Sequence, residues 1–478
     1  MPQPSLAIQI ARSWCTIDGA EHALTDLHSW VSERNANTHV DIKPGVFSDD
    51  GNWFVDPATG TIRNRQGSFF TVAGLRQTAP DGSVHEQPVI LQPEIGFLGF
   101  LAMERRGVLH FLVQAKIEPG NINKVQLSPT IQATKSNFTQ AHGGKRPMFL
   151  EYFLDVDPDA IMVDQIQSEQ SSRFFKKRNR NIIVVLDEEP EVTDQFRWMT
   201  LGQIKALMHY DNLVNMDTRT VLSCIPTSMM ACSDDEFAEI ISLFNDEPLA
   251  RSVFHAPDVN AAPPMFHQMN NFKMFDAPVS EIIRLDELER WDWVNNELVC
   301  LDGGDFTVGA FDIAIEGREV VEWTQPLFKA KGIATFGLIT TEDTDGVRRF
   351  LVRIAPEPGC FDDVEFGPSV QLEPTAPPEG DDDVSRFMFE QLAAHPDRVS
   401  HDVLLSEEGG RFYHEQNRNI VVDVDRSALT EFLGADPRLM LVDYWTLNTL
   451  NQVNNVLNIQ LRNVLSLLPA VTPEDDAQ

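Results

Sequence analysis

The sequence predicts an α+β protein made of two tandem domains that arose by internal duplication. Residues 168–174 recur as residues 406–412 with the shared pattern Ser-Glu-X-X-X-Arg-Phe, 238 positions later. Blocks that begin at Gln87, Gly107 and Glu118 also recur, shifted by 238 or 239 positions. Several separated blocks with nearly the same offset are far less probable by chance than one short match, so we infer that a whole domain was duplicated.

Length and composition fit two soluble globular domains. The 478 residues exceed what one hydrophobic core usually supports, and we expect one domain over residues 1–235 and another over residues 236–478. No apolar run approaches the roughly 18 residues that span a bilayer, and no secretory leader is visible, so the expected location is the cytoplasm. The net charge of −34 disfavours nucleic acid as a partner, because phosphate binding needs clustered Lys and Arg.

Apolar runs punctuated by Gly and Pro predict the strands, and longer periodic segments predict the helices. In the first copy we expect a helix at residues 20–33 and strands at residues 69–72, 96–103, 108–116 and 181–186. Each copy should close on one long helix, at residues 201–222 and 445–468. Between the copies, the pattern predicts helices at residues 234–244 and 279–291 and an extended stretch at residues 261–264.

The two copies differ mainly at polar positions that can take part in chemistry. The first copy carries a dense polar set, namely Gln114, Lys116, Glu118, Asn121, Gln126, Ser128, Thr130, Gln132, Thr134, Ser136 and Asn137. In the second copy the replacements are Arg353 for Gln114, Ala355 for Lys116, Glu365 for Gln126 and Gly367 for Ser128. A half-solvated strand would also alternate in this way. The combined polar loss nevertheless favours an intact pocket in the first copy and a degenerate pocket in the second.

The repeated blocks resemble the NDP-hexose 2,3-dehydratase family, which removes a hydroxyl from 4-keto-6-deoxyhexoses carried on dTDP. The resemblance covers nearly the whole chain and is carried by residues 87–88, 114–121, 126–134, 136–138, 151–153 and 167–181. It implies two Nudix-like α/β/α domains in each subunit and a homodimer. It also implies dTDP-4-keto-6-deoxy-D-glucose as substrate, elimination of its C2 hydroxyl, and a downstream 3-ketoreductase that consumes the diketo product.

Motifs of other enzyme classes are absent from the sequence. The nearest fragment to a Nudix box, residues 318–323, lacks the second glutamate and the glycine, so metal-assisted pyrophosphate hydrolysis loses its ligands. There is no GxGxxG, GxSxG, HExxH or Walker lysine loop, and we expect neither a metal nor a redox cofactor. Elimination beside a ketone needs none, because the C4 carbonyl acidifies the C3 proton. A noncatalytic nucleotide-sugar binding protein and a Nudix-type nucleotide-sugar pyrophosphatase remain the alternatives.

Elimination requires a base for the C3 proton, an acid for the departing hydroxyl and a donor for the enolate oxygen. The candidates are Lys116, Glu118 and Glu169, with either carboxylate as base and Lys116 at the enolate or the leaving group. Both glutamates recur in the second copy, which also fits folding roles, whereas the lysine does not recur. His142 is a further candidate for proton delivery from a loop, with an ordinary loop histidine as the alternative.

A run of basic residues precedes the strand expected at residue 181. Within residues 176–180, we expect Lys177, Arg178 and Arg180 to bind the substrate pyrophosphate, since guanidinium groups contact phosphate oxygens in pairs. A solvated turn is the alternative interpretation of this run.

Overall fold

The computed structural model describes residues 4–67, 69–135, 146–255, 261–316 and 321–471. The fold is α+β and contains two seven-stranded sheets, one in each copy, with the same strand order. This repeat confirms the predicted duplication. The strands of the first sheet are Gly96–Arg105, Val108–Ile117, Val125–Ser128, Ile131–Ala133, Ile161–Ser168, Arg178–Val185 and Phe196–Thr200. Those of the second are Ala334–Glu342, Arg348–Ala355, Glu365–Pro368, Val370–Leu372, Val399–Ser406, Gln416–Asp423 and Leu439–Asp443.

The two copies exchange a strand in their smaller sheets. Val40–Pro44 precedes the first copy's own small sheet but pairs with Phe306–Ile315 of the second copy. Val279–Ile283, its counterpart 239 positions later, pairs with Thr71–Thr78 of the first copy. The remaining strands of these sheets are Trp53–Asp56, Thr61–Asn64, Val84–Leu91, Trp291–Val294, Glu297–Cys300 and Glu322–Ala330. Each small sheet is therefore completed by the other half of the chain.

Short helices pack around the sheets. They are Leu6–Cys15, Leu24–Asn37, Glu151–Leu154, Leu201–Leu207, Met216–Ser223, Asp234–Leu243, Glu247–Phe254, Ala262–Phe275, Asp383–Ala394, Thr430–Ala435, Tyr444–Asn451 and Ile459–Leu467. Single 3₁₀ turns lie at Pro158–Ala160, Thr227–Met229, Leu285–Glu287, Pro396–Arg398 and Arg426–Leu429. Across the described ranges, no helix combines the length and the apolar character that a membrane crossing demands.

The duplicated unit includes the N-terminal helix Leu6–Cys15. Ser13 Oγ donates to Leu109 O at 2.6 Å, and Ser252 Oγ donates to Arg348 O at 2.6 Å, 239 positions later. Helix Asp234–Leu243 crosses the boundary expected at residue 235 and packs against helix Leu6–Cys15 of the first copy.

The prediction that each copy closes on one long helix is wrong, because two short helices form in each place. Asn212 and Asn455 adopt left-handed backbone angles, with φ of 54° and 60°, which no α-helix continues through. Asn215 and Asn458 then cap the following helix, and in both the Oδ1 atom accepts from the backbone N–H three residues on at 2.9 Å. The apolar periodicity hides the break, since both halves pack on the same core.

The segment between the copies also differs from expectation. The extended stretch expected at residues 261–264 is wrong, since helix Ala262–Phe275 begins there and its first turn accommodates two prolines. The helix expected at residues 279–291 is wrong, since strand Val279–Ile283 forms there and pairs with the first copy. Cross-copy pairing overrides the local periodicity.

The interface between the copies is buried and follows an approximate twofold symmetry. One hydrophobic core contains residues from both copies. Within it, Arg219 of the first copy donates from Nη2 to Ser406 O at 2.6 Å, and Arg462 of the second copy donates from Nη2 to Ser168 O. These two arginines are almost fully buried, so each copy anchors the loop that follows a strand of the other.

Candidate active site

The candidate site of the first copy lies where strand Val108–Ile117 ends. Lys116 Nζ is 3.0 Å from Glu118 Oε1, and Gln132 Nε2 donates to the same oxygen at 2.8 Å. Glu118 is buried, whereas the Lys116 side chain keeps 17% of its surface exposed. The ammonium group is therefore held against a carboxylate, on a side chain that is not fully buried.

Ser128 and Asn215 orient the amide of Gln132. Asn215 Nδ2 donates to Ser128 Oγ at 2.7 Å and to Gln132 Oε1 at 3.2 Å. Because the oxygen end of the Gln132 amide accepts from Asn215, its nitrogen end faces Glu118. Asn215 also caps helix Met216–Ser223, so the start of this helix is fixed relative to the carboxylate.

Asp217 is a candidate catalytic residue that the sequence analysis missed. It is the second residue of the helix capped by Asn215, and it is 2% exposed. Burial raises the pKa of Asp217 well above its usual range, the charges of Glu169, Glu118 and Glu408 raise it further, and Lys116 lowers it. Its surroundings therefore favour the protonated carboxyl group, which suits Asp217 to donate a proton.

Alignment of the two copies along this helix is the signal that would have found Asp217. The capping residues Asn215 and Asn458 correspond, so Asp217 corresponds to Gln460. Gln460 Nε2 donates to Glu357 Oε1 at 2.9 Å. The second copy thus has a neutral amide where the first copy has an acid.

The second copy keeps the amide network but lacks the charged groups. Ala355 occupies the position of the lysine. Gln371 Nε2 donates to Glu357 Oε1 at 3.0 Å, and burial raises the pKa of Glu357 to about 8, which leaves it neutral. Arg353, which replaces Gln114, pairs with Asp382.

Thr130 links neighbouring strands. Its Oγ1 accepts from Leu101 N at 3.0 Å and donates to Leu112 O. Ser369 makes the equivalent contacts in the second copy. Repetition in both copies favours a folding role for Thr130 over substrate binding.

The other predicted binding residues of this region have mixed environments. Gln126 Nε2 donates to Ser406 Oγ of the second copy at 2.8 Å, and Asn121 Nδ2 donates to Lys124 O at 3.1 Å within a turn. The half-buried side chains are Gln114, opposite Ser128 in the sheet, and Thr134, directly after strand Ile131–Ala133. The predicted residues outside the described ranges are Ser136, Asn137 and His142.

Glu169 and Lys177 are buried next to each other. Burial raises the pKa of Glu169 to about 7 against the charge of Lys177, and burial lowers the pKa of Lys177 to about 8. Asn179 Nδ2 donates to Glu169 Oε2 at 2.6 Å. Glu407 and Asn417 repeat this carboxylate and amide pair in the second copy, which favours a folding role for Glu169.

Arg178 and Arg180 do not join Lys177 in one basic patch. The Arg178 guanidinium lies 3.7 Å from the ring centre of Phe361 in the second copy. Arg180 makes two hydrogen bonds of 2.6 Å with Asp164, and Arg418 makes the same pair with its own aspartate in the second copy. Strand alternation sends neighbouring side chains to opposite faces, so the basic run is divided.

Comparison with known proteins gives one consistent result. The profile of a family described as NDP-hexose 2,3-dehydratase matches residues 24–225 and 265–468, one match in each copy. Three relatives, all named dTDP-4-dehydro-6-deoxy-alpha-D-glucopyranose 2,3-dehydratase, are each 36% identical to the chain. The alignment with the protein from Amycolatopsis orientalis covers 98% of the chain and 95% of that protein. The corresponding shares are 93% and 91% for Saccharopolyspora spinosa, and 92% and 95% for Streptomyces violaceoruber.

Proposed function

Because this chain belongs to the NDP-hexose 2,3-dehydratase family, we propose that it is a lyase that removes the C2 hydroxyl of dTDP-4-keto-6-deoxy-D-glucose. The observation that carries the proposal is the cluster of Lys116, Glu118 and Asp217 in the first copy. The second copy has Ala355 and Gln460 at two of these three positions. The chemistry is therefore assigned to the first copy.

The proposed reaction is an elimination beside the C4 ketone. Removal of the C3 proton gives an enolate, whose electron pair is delocalised onto the C4 oxygen. The C4 carbonyl then re-forms, a C2–C3 double bond is made and the C2–O bond breaks, so that the hydroxyl leaves with a proton as water. The remaining C3 enol takes a proton at C2 and loses the proton of its C3 hydroxyl, which gives the 2-deoxy-3,4-diketo sugar nucleotide.

The base, the enolate donor and the acid that elimination requires each have a candidate in the cluster. Glu118 is assigned as the base, since a buried carboxylate held by Gln132 and Lys116 has a fixed orientation. The Lys116 ammonium stabilises the developing enolate oxygen. Asp217 gives its proton to the leaving hydroxyl. Glu118 is preferred to Glu169 as the base because the lysine bonded to Glu118, Lys116, is partly exposed, whereas Lys177 beside Glu169 is buried. Glu169 is assigned to the scaffold.

The cellular and structural setting is proposed along with the activity. We propose that the repeats are Nudix-like domains, divided near residue 235, and that the subunit forms a homodimer in the cytoplasm. The diketone product is reactive, so a 3-ketoreductase should consume it.

Incubation of the protein with dTDP-4-keto-6-deoxy-D-glucose in D₂O tests the proposed function. We expect loss of one water from the sugar with deuterium at C2 of the product, and deuterium exchange at C3 of the substrate that has not yet reacted. Mass spectrometry and NMR measure both. Binding of the nucleotide sugar without loss of water would contradict the lyase and favour a binding protein. Magnesium-dependent release of a sugar phosphate would instead favour a pyrophosphatase.

Asp217→Asn tests the assignment of the acid. We expect loss of water to slow by about 10²-fold, because the amide has no acidic proton, while deuterium exchange at C3 falls much less. Product formation and exchange are measured on the same samples. Gln460→Asn in the second copy is the control and should leave both rates near those of the wild type. Equal losses of elimination and exchange in Asp217→Asn would contradict a role at the leaving group.

A further inference from the structure

We propose that the second copy supplies Glu408 to the active site of the first copy, so that the functional site is assembled from both repeats. This inference rests on the dehydratase function proposed above. Its basis is a reciprocal contact between turns, together with a difference in charge between the two equivalent positions.

The turn that follows Glu118 in the first copy docks on the turn that carries Glu408. Gly120 N donates to Gly409 O at 2.6 Å, and His414 N donates to Gly120 O at 2.8 Å. Any side chain at Gly120 would collide with the backbone of the second-copy turn. The hydrogen-bonded residue Gly120 is two positions after Glu118, and its partner Gly409 directly follows Glu408. These backbone hydrogen bonds between the copies therefore hold the two turns together.

The same contact exists in the opposite direction. Gly359 of the second copy donates from its backbone N to Ser171 O at 2.7 Å, and Lys176 N donates to Gly359 O at 2.8 Å. The first-copy turn that docks there carries Gln170, the residue equivalent to Glu408. Each copy's site is thus covered by a turn from the other copy.

The charged groups that face Glu408 come mainly from the first copy. They are Lys116, Glu118, Glu169, Lys177 and Asp217 of the first copy and Arg411 of its own turn. Burial raises the pKa of Glu408, Arg411 lowers it, and Glu118 raises it. The Glu408 side chain itself is half-buried. Arg411 also reaches into the first copy, where Nη2 donates to Gln92 Oε1 at 3.1 Å.

The equivalent residues Glu408 and Gln170 differ in charge, as the other residues of the two sites do. The first site receives a carboxyl group from Glu408, whereas the second receives the neutral amide of Gln170. This difference parallels the presence of Ala355 and Gln460 in the second site. Burial raises the pKa of Glu408 to about 7, so its carboxyl group is ionised on the alkaline side of that pH. Glu408 is therefore assigned as a positioning residue, whose charge there helps keep the proton on Asp217.

Glu408→Gln in the full-length protein tests this assignment through the pH profile. Activity requires protonated Asp217, so turnover falls as pH rises through the pKa of that group. Loss of a nearby negative charge lowers this pKa, and the alkaline limb of kcat should move to lower pH by about one unit. On that limb turnover should fall about tenfold, while turnover on the acidic side should change by less than about twofold. Glu408→Asp, which keeps the charge, should restore most of the profile.

Glu415→Gln is the matched control, since it makes the same chemical change in the same loop. The groups that act on Glu415 are Arg173, Glu373, Gln170 and Asp305, and the variant should keep the wild-type profile. Thermal unfolding checks that each variant folds, and Glu408→Ala serves as the second neutral variant should Glu408→Gln unfold. A Glu408→Gln profile that superimposes on the wild type, or an equal shift in Glu415→Gln, would overturn the shared site. An inactive wild type would instead refute the proposed function itself.

Discussion

Lys116→Ala is expected to lower turnover of the 4-keto sugar nucleotide by about 10²- to 10⁴-fold. The substitution removes the ammonium group that lies 3.0 Å from Glu118 Oε1, and with it the group assigned to the enolate oxygen. It also removes the ion-pair partner of Glu118, the residue assigned as the base, so the two groups act as a unit. The losses from Lys116→Ala and Glu118→Gln should therefore not add in the double variant. Steady-state kinetics on the three variants measure this.

Arg353→Ala is the matched control for Lys116→Ala. Arg353 lies on the equivalent strand of the second copy and pairs with Asp382. Turnover should remain within about twofold of the wild type, since no step of the reaction is assigned to the second copy. Equal losses in the two variants would refute the assignment of catalysis to the first copy alone. A rise in KM with unchanged kcat in Lys116→Ala would indicate a binding role rather than stabilisation of the transition state.

The duplication and the central strands were predictable because both are local properties of the sequence. Strands Gly96–Arg105 and Val108–Ile117 were expected at nearly these positions, since apolar runs between turn residues are strong signals. The Lys116 and Glu118 pair was also predictable. Lys116 lies at the end of a strand and Glu118 directly follows that strand, and only one copy carries the lysine.

Asp217 and Glu408 were not predictable by the same means. Asp217 lies beyond a helix break that the hydrophobic period conceals, and the blocks that align by identity do not reach it. Glu408 is distant from Lys116 in sequence and meets it only because turns are exchanged between the copies. Local pattern indicates which residues form a strand or a turn, but it does not indicate which copy they join.

The strand exchange is the clearest example of this limit. Val40–Pro44 and Val279–Ile283 occupy equivalent positions, so either could in principle complete either sheet. The structure pairs each with the other copy. Each half of the chain supplies a strand to the small sheet of the other half. Deletion of the second copy would therefore remove a strand from the first, although the second copy lacks the catalytic groups. Retention of the second copy thus follows from folding as well as from Glu408.

Residues 1–244, produced alone, are therefore expected not to form a stable domain. Strand Thr71–Thr78 would lose its partner Val279–Ile283, and Val40–Pro44 would have no sheet to join. The shared core would be cut, and apolar surface would meet water at about 25 cal/mol per Å². Because a domain is stable by only about 5–15 kcal/mol, these losses should abolish cooperative unfolding, which near-UV circular dichroism and thermal melts measure. Co-expression with residues 245–478 should restore a folded, active complex. The break between residues 244 and 245 falls between two helices and interrupts no strand. A fragment that melts cooperatively on its own would contradict this account of the exchange.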